Sequence, residues 1–506
     1  MTKTVPVSRS PRPSPDVIAG YGPVRPYDDS DRRQRVDAVD PTPDRPVAPK
    51  VLESLDAAFD AFGIGDGATL SFHHHLRNGD AVLNAVVEAA AQRGLRGLTI
   101  AVSSVFPVHT PLVSHIRSGV IRAIWSDYVA GPVGDAIIEG DLQTPLILQS
   151  HGGRARAIAS GQLQIDAAFV AAPSADRFGA ATGAFGRNAC GPLGYPMVDA
   201  DYAKCVVVVT DGLSDAPLTR AEIPATRVDA VVAVPTIGDA NGIEFGTTLA
   251  GADPINRGIA QMAANALDAA GYLKPGFSFQ TGAGSASLTA ASEIGTRLCE
   301  NGLRGGFLSG GITGAHVAMV REGAFEEIRN VQSFDLAAVA SFRDDPWHHA
   351  MSAAEYASPI YSNAIVNKLN AMILGAAEVD TAFNVNVTLG GNGRLIGGPG
   401  GHPDAAAGAD VTVVTTKTTA GGFAKIVDDV QCRTTPGIDI DLVVTEKGIA
   451  INPRRADLAN SLLAAGLPVV DIEQLAVPVR QVRSKPNFGE ARAILEYRDG
   501  SVIDVF

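Results

Sequence analysis

Three consecutive segments decide the fold: GFSFQTGAG (276–284), SASLTAASEIGTRLCENG (285–302) and LRGGFLSGGITG (303–314). The first is a short apolar run with a Gln-Thr-Gly-Ala-Gly tip. The second carries apolar residues at helical spacing and stops at Gly302. The third is apolar again and ends in Ser309-Gly310-Gly311. The pattern predicts a strand, a glycine turn, a helix and a second strand, which is one βαβ unit. The turn residues carry little bulk, so the backbone there can approach a ligand closely. A helix starting near Ser285 points free N–H groups at whatever occupies the turn, and open α/β sheets bind ligands at such strand ends.

The layout occurs twice. GATLSFHHHLRNGD (67–80), AVLNAVVEAAAQRG (81–94) and LRGLTIAVSS (95–104) repeat it, and Gly-Leu-Arg-Gly follows the helix both times, at 94–97 and 302–305. Chance likeness is the alternative, but a repeat of this length predicts two related α/β domains facing one another. We place a Pro-rich N-terminal tail at 1–50, a first domain at 51–246 and a second at 247–506. The tail is expected to be flexible or to lie on a partner.

Composition narrows the classes. The 506 residues suffice for about two to four domains. Apolar residues at 46% against 19% charged supply a large core. A net charge of −13 argues against nucleic acid as the main partner. No apolar run reaches the ~18 residues of a membrane span, and the N-terminus lacks an apolar signal core. The four scattered cysteines form no CxxC pair, as expected of reduced thiols in a cytoplasmic protein.

Elsewhere, Val51–Phe62 reads as a helix, and Asp80 as the N-cap of a helix whose inner face carries Val82, Leu83, Val86, Val87 and Ala90. The apolar runs 145–149, 167–172, 205–210, 230–234, 411–415 and 440–444 suit buried parallel strands. Residues 362–376 read as helical. Asp499-Gly500 between two alternating runs predicts a hairpin that closes the second domain.

Polar residues collect in the turns. Ser71, His73, His74, His75 and Arg77 occupy the turn of the first repeat. Metal binding is weakly motivated there, because no carboxylate or cysteine stands at metal spacing. A carboxylate gripped by His donors and Arg77 is better motivated; ordinary turn polarity is the remaining reading. His151–Arg154 and Arg187–Gly191 are further donor-rich turns. The loop from Gly390 to Asp404 is dense in glycine, so its amides can hold an oxyanion, but it lacks the Gly-Lys-Ser/Thr of a phosphate loop. Glu378 and Glu446 are the nearest acids, and structural capping explains each as well.

Taken together, SFHHHLRNGD, TPLVSHIR, QSHGGR, GYPMVDAD, GFSFQTGAG, SGGIT, NVQSFD, AEVDTAFNVNV, GGPGGHPDAA, VTEKGIAINP and YRDGSVIDV resemble the citrate lyase alpha subunit family, from about Val51 onward. The resemblance implies two tandem CoA-transferase-type (NagB/RpiA-like) α/β domains. It implies a transferase that exchanges acetyl for citryl on an acyl-carrier thioester, with citrate entering and acetate leaving. It also implies beta and gamma (acyl carrier) partner subunits in an oligomeric complex. No tightly bound cofactor is expected in this subunit; the carrier's dephospho-CoA-derived phosphopantetheine thioester, or a CoA thioester such as acetyl-CoA, is the second substrate.

A wider resemblance to CoA-transferases with a catalytic glutamate assigns residues. Gln280, Asn363, Gly400 and Gly401 are then catalytic. Ser71, His73, His74, Arg77, His402 and Asp404 bind the acid. Gly282, Gly284, Asn384 and Asn386 hold the thioester. The family's nucleophilic glutamate falls where this chain reads Ser309-Gly310-Gly311, so the acid substrate itself is expected to attack, through a mixed anhydride. A transferase for a related acid such as citramalate, and a non-catalytic citrate-binding scaffold, are the alternatives.

Overall fold

The structure, a computed structural model, describes residues 15–29, 37–246, 253–282, 284–479 and 489–506. Ala283 of the Gln280–Gly284 turn and the expected domain boundary at Thr247 lie outside them.

Two mainly parallel sheets of ten and eight strands carry the chain. In the first, Thr69–Phe72 is the hub. Leu98–Val102, Ile121–Ser126 and Leu146–Leu148 follow on one side; Ala167–Ala172, Cys205–Thr210 and Ala230–Ala233 follow on the other, all parallel. In the second, Phe279–Thr281 is the hub. Gly305–Ile312, Phe325–Ser333 and His348–Ala350 flank it on one side, with Ala371–Gly375, Val411–Thr415 and Leu442–Thr445 on the other, again parallel. Strands such as Cys205–Thr210 and Val411–Thr415 are buried along their whole length. Helices cover both faces, which is why these strands show continuous apolar runs rather than alternation.

Each hub strand leads into a helix. In the first unit Val82–Gln92 buries Val82, Leu83, Val86, Val87 and Ala90. The Asp80 carboxylate accepts from the amides of Val82 and Leu83 at 3.3 and 3.1 Å, satisfying two orphan donors. In the second, Ser285–Glu300 buries Leu288, Ala291, Ile294 and Leu298 at spacings of three and four. Each such side chain contributes about 1.5–3 kcal/mol by leaving water. Gly302, at φ +63°, turns the chain back into the next strand.

Four expectations need correction. Val51–Leu52 is an edge strand beside Ala230–Ala233, and the helix begins only at Leu55, capped by Ser54. Residues 362–376 are not helical: a 3₁₀ turn, Ile365–Lys368, leads into the buried strand Ala371–Gly375. A short, wholly buried run has no polar face, so its periodicity does not separate helix from strand. The terminal hairpin forms as expected, but Ala493–Glu496 pairs with Leu146–Leu148 and extends the first sheet, not the second. Alternation predicts a hairpin and leaves open which sheet edge receives it.

Lastly, the described part of the N-terminal tail packs on this chain itself. Val17–Ile18 pairs with Gly22–Pro23, Ile18 packs with Ile147, Ile494 and Val502, and Tyr27 meets Tyr497 edge-on at 4.8 Å. Tyr21 donates to buried Glu496 at 2.7 Å. A few apolar and aromatic residues suffice to dock a Pro-rich stretch whose composition alone would not fold.

One hydrophobic cluster spans the sheets: Leu70, Val102 and Val170 share it with Val331, Met351, Tyr356 and Phe383. The facing strand ends of the two sheets therefore meet inside the molecule.

Candidate active site

The first wall is the turn after Thr69–Phe72. His73, His74 and His75 are all buried. Burial pushes the His73 imidazole down to about 4 and holds His74 and His75 well below the ordinary histidine range, so all three are neutral. His74 bonds through Nδ1 to Ser103. Among the described residues the His75 ring makes no hydrogen bond, while the His73 ring lies against the Ala171 backbone.

Arg77 stands beside them in the left-handed region at φ +52°, a strained conformation for a residue with a side chain. It is buried at 8% exposure and lies over the rings of Phe106 and Phe334, at 5.5 and 4.8 Å. Its hydrogen bond goes to the Ile243 carbonyl, at 3.2 Å; among the described residues Nε has no partner and no carboxylate pairs with it. Burial lowers the guanidinium to about 10. A buried cation without an anion is costly, and three uncharged N–H-bearing rings beside it complete a receptor for a carboxylate.

The opposite wall is the second hub strand. Gln280 Nε2 donates to Tyr356 Oη at 2.6 Å, while Gln280 Oε1 and Ser309 Oγ are buried without partners among the described residues. The Tyr356 proton has no acceptor among the described residues. A Cβ on Gly310, at φ +94°, would stand 2.7 Å from the Gln280 amide carbon, and one on Gly401 would stand 2.6 Å from Tyr356 Oη. Gln280 and Gly401 thus converge on one hydroxyl, and only glycine fits at 310 and 401.

The glycine loop crosses between the walls. The Gly400 amide donates to the Asp127 carbonyl at 3.1 Å and its own carbonyl accepts from the His151 amide at 2.9 Å. The Gly401 N–H makes no such bond among the described residues, at the start of the helix His402–Gly408.

Several expected site residues already have hydrogen-bond partners within the protein. Ser71 lies in a buried triad with Arg154 (2.8 Å) and Asp199 (2.7 Å). Both His402 nitrogens are engaged, with Thr435 Oγ1 at 2.7 Å and the Gly375 carbonyl at 3.1 Å, and burial lowers its imidazole to about 4. Asp404 is fully buried and ties the sheets together, accepting from Ser150 Oγ and the Gly152 amide, each at 2.8 Å. Burial raises its carboxyl, and Arg498 at 3.6 Å opposes that.

Asn384 clamps Asp380, and Asn386 bonds Glu378 and the Leu389 carbonyl. Asn363 sits in an exposed turn and is not joined to Gln280. Gly282 and Gly284 line the turn beneath the helix Ser285–Glu300. Glu378 is buried and accepts from Asn386 and from the Gln431 amide, whereas Glu446 caps Thr418 on the surface. Neither meets Gln280 in a hydrogen bond.

Among the described residues no group of His, Cys, Asp and Glu is arranged to hold a metal ion, and no helix is long and apolar enough to cross a membrane. The Arg187–Gly191 turn borders a hollow of about 680 Å³ with Thr236, Asn241 and Arg343.

Sequence reasoning missed Tyr195, Tyr356 and Asp127. Asp127 follows directly on the strand Ile121–Ser126, the strand-end position where α/β sheets place functional groups. The two tyrosines carry no such signal.

The chain is similar to known proteins. Residues 48–506 match the family model "Citrate lyase, alpha subunit". The chain is 42% identical to the citrate lyase alpha chain of Klebsiella pneumoniae, over 90% of this chain and 91% of the relative. It is 41% identical to that of Escherichia coli, over 90% of each. A crystal structure from Streptococcus mutans, described as a citrate lyase alpha subunit in complex with citrate, superposes with a TM-score of 0.90 at 39% identity, covering 98% of both chains. A malonate decarboxylase alpha subunit from Acinetobacter baumannii shares the fold, with a TM-score of 0.63 at 16% identity over 85% of this chain and 87% of that one.

Proposed function

The chain belongs to the citrate lyase alpha subunit family, and on that premise we propose that it is the citrate CoA-transferase component, converting an acetyl-carrier thioester and citrate into citryl-carrier thioester and acetate. In this reading the two sheets are tandem CoA-transferase-type halves whose hub-strand turns clasp the substrates. A beta subunit and a gamma acyl carrier complete a cytoplasmic complex. The carrier's phosphopantetheine-type arm, or CoA itself, enters over Gly282 and Gly284.

One observation carries the proposal. Gln280, Tyr356 and Gly401 converge where related transferases hold a glutamate, yet Gly310 brings no carboxylate, and a buried unpaired cation waits on the other wall. Arg77, with His73, His74 and His75, grips two carboxylates of citrate. The third attacks the acetyl carbonyl. Charge develops on that carbonyl oxygen, within reach of the Gly401 N–H and the Tyr356 O–H that Gln280 orients. The C–S bond breaks and leaves a mixed acetyl-citryl anhydride. The carrier sulfur then attacks the citryl carbonyl and acetate departs. The protein's contribution is position and preorganised donors.

The test uses the isolated chain. Mixed with acetyl-CoA and citrate, it yields citryl-CoA and free acetate, and borohydride or hydroxylamine traps no adduct on the protein. A stable acyl or thioester adduct on Glu378 or Glu446 would contradict direct transfer. Absence of citryl-CoA would leave only a scaffold role.

A further inference from the structure

His151 and Asp127 form a pair that the transfer scheme above does not use. His151 opens the helix His151–Ala159, and its Nδ1 lies 2.8 Å from Asp127 Oδ2. Asp127 is completely buried, while the imidazole is 15% exposed. Its Nε2 makes no hydrogen bond among the described residues, and a Cβ on Gly400 would stand 3.6 Å from that nitrogen; one on Gly401 would stand 3.3 Å from the ring. The free nitrogen therefore faces the oxyanion donor Gly401. The Asp127 carbonyl also fixes the Gly400 amide, so one residue sets both the ring and the loop.

We infer that His151 is a catalytic residue that shuttles the proton of the carrier sulfur, with Asp127 as its positioning residue. This rests on the transferase reading. An alkyl thiolate is a poor leaving group, because its conjugate thiol has a pKa well above neutrality. When the citrate carboxylate has added to the acetyl carbonyl, the C–S electron pair moves to sulfur, and His151 Nε2–H gives it a proton. The neutral imidazole then takes that proton back as the sulfur attacks the citryl carbonyl and acetate leaves as an anion. No proton is gained or lost over the cycle. Asp127 holds Nδ1–H throughout, so Nε2 is the nitrogen that exchanges.

The surroundings are accounted for. Tyr195 lies 4.8 Å from the ring and His74 lies 6.3 Å away, both neutral. Asp404, held by Arg498, and Arg154, held by Asp199, are the further charges whose fields reach the pair.

The experiment measures thiol release from two acetyl thioesters in the presence of citrate, acetyl-CoA and an acetyl aryl thioester whose thiolate departs without a proton. The chain, H151Q, H151N and D127N are compared. For H151Q and H151N the acetyl-CoA rate is expected to fall about 100- to 1,000-fold, and the aryl rate less than about 10-fold; D127N shows the same selectivity with a smaller loss. The unaltered chain supplies an independent readout: thiol release from acetyl-CoA slows in deuterium oxide, because a proton moves to sulfur as the C–S bond breaks, and release from the aryl ester does not. Equal losses on both esters, no loss on either, or equal solvent isotope effects overturn the inference. If the unaltered chain releases no thiol in response to citrate, the transferase reading falls and takes this inference with it.

Discussion

The two hub-strand turns hold the same place in their sheets and are built oppositely. The turn after Phe72 is crowded: three buried neutral histidines and a cation at positive φ, walled by Phe106, Phe334 and Tyr195. The turn after Thr281 is stripped, and the positions facing it, Gly310 and Gly401, have no room for a side chain. One wall has spent its backbone comfort to hold a charge; the other has given up side chains so that a thioester can come close. In the proposed scheme the contrast divides the work between an acid-binding wall and a reaction wall, and the nucleophile arrives on the substrate and is aimed by the first wall.

The largest effect is expected on the reaction wall. Gly401→Val puts carbon where Tyr356 Oη stands, and citryl-CoA formation should drop about 1,000-fold, as when oxyanion donors are displaced. A variant within tenfold of the unaltered chain would move the reaction elsewhere. Next comes the acid wall. Arg77→Ala should raise the KM for citrate about 30- to 100-fold, the loss of about 2–3 kcal/mol from hydrogen bonds to a charged group, and leave the KM for acetyl-CoA little changed. An equal rise in both constants would erase the division of labour.

Tyr356→Phe, which removes one neutral donor, keeps the ring and leaves the Gly401 N–H in place, should lower kcat about tenfold with both KM values held, as for one neutral hydrogen bond. Glu378→Gln marks the small end for activity: kcat should stay within about twofold, while stability drops by about 1–3 kcal/mol, because a buried acceptor network is broken. Loss of kcat in parallel with stability would restore an enzyme nucleophile.

Stability against pH separates the walls further. His73, His316 and His402 are held near 4 by burial. Between about 6.5 and 4 the unfolded chain takes up protons that the folded chain refuses, so stability is present above that window and is lost as pH falls through it. Asp127, raised to about 6 by burial, works the other way, since its folded form binds the proton first. Asp404 and Glu496, also raised by burial, act with Asp127, so the histidine share is read by difference: with His402→Gln the unfolding midpoint should lose less between pH 6.5 and 4.5 than in the unaltered chain. An unchanged slope would mean that this ring is hydrated.

Much of this was legible in the sequence. The glycine-tipped units at 67–104 and 276–314 carried the sheet-forming logic, and helix Ser285–Glu300 falls within the span that the spacing of Leu288, Ile294 and Leu298 sets. Gln280, Gly401 and Arg77 could be picked because their residue types are unusual at a strand end or in a loop. His402, Asp404, Asn384 and Asn386 sit in equally suggestive strings, and each is engaged by partners within the protein. A polar residue beside a site reads the same whether it faces the ligand or the backbone beneath, and only the pairing of its atoms decides. The docking of the terminal hairpin and of Tyr21 on the first sheet was illegible for a related reason: contacts across 475 positions leave no local pattern.

Direct transfer rests on where the oxygen of acetate comes from. A single turnover with acetyl-CoA and citrate labelled with ¹⁸O in its carboxylates settles it. The account predicts that the released acetate carries one ¹⁸O from citrate. Unlabelled acetate in that first turnover would mean that a carboxylate of the enzyme made the attack, and would contradict the account.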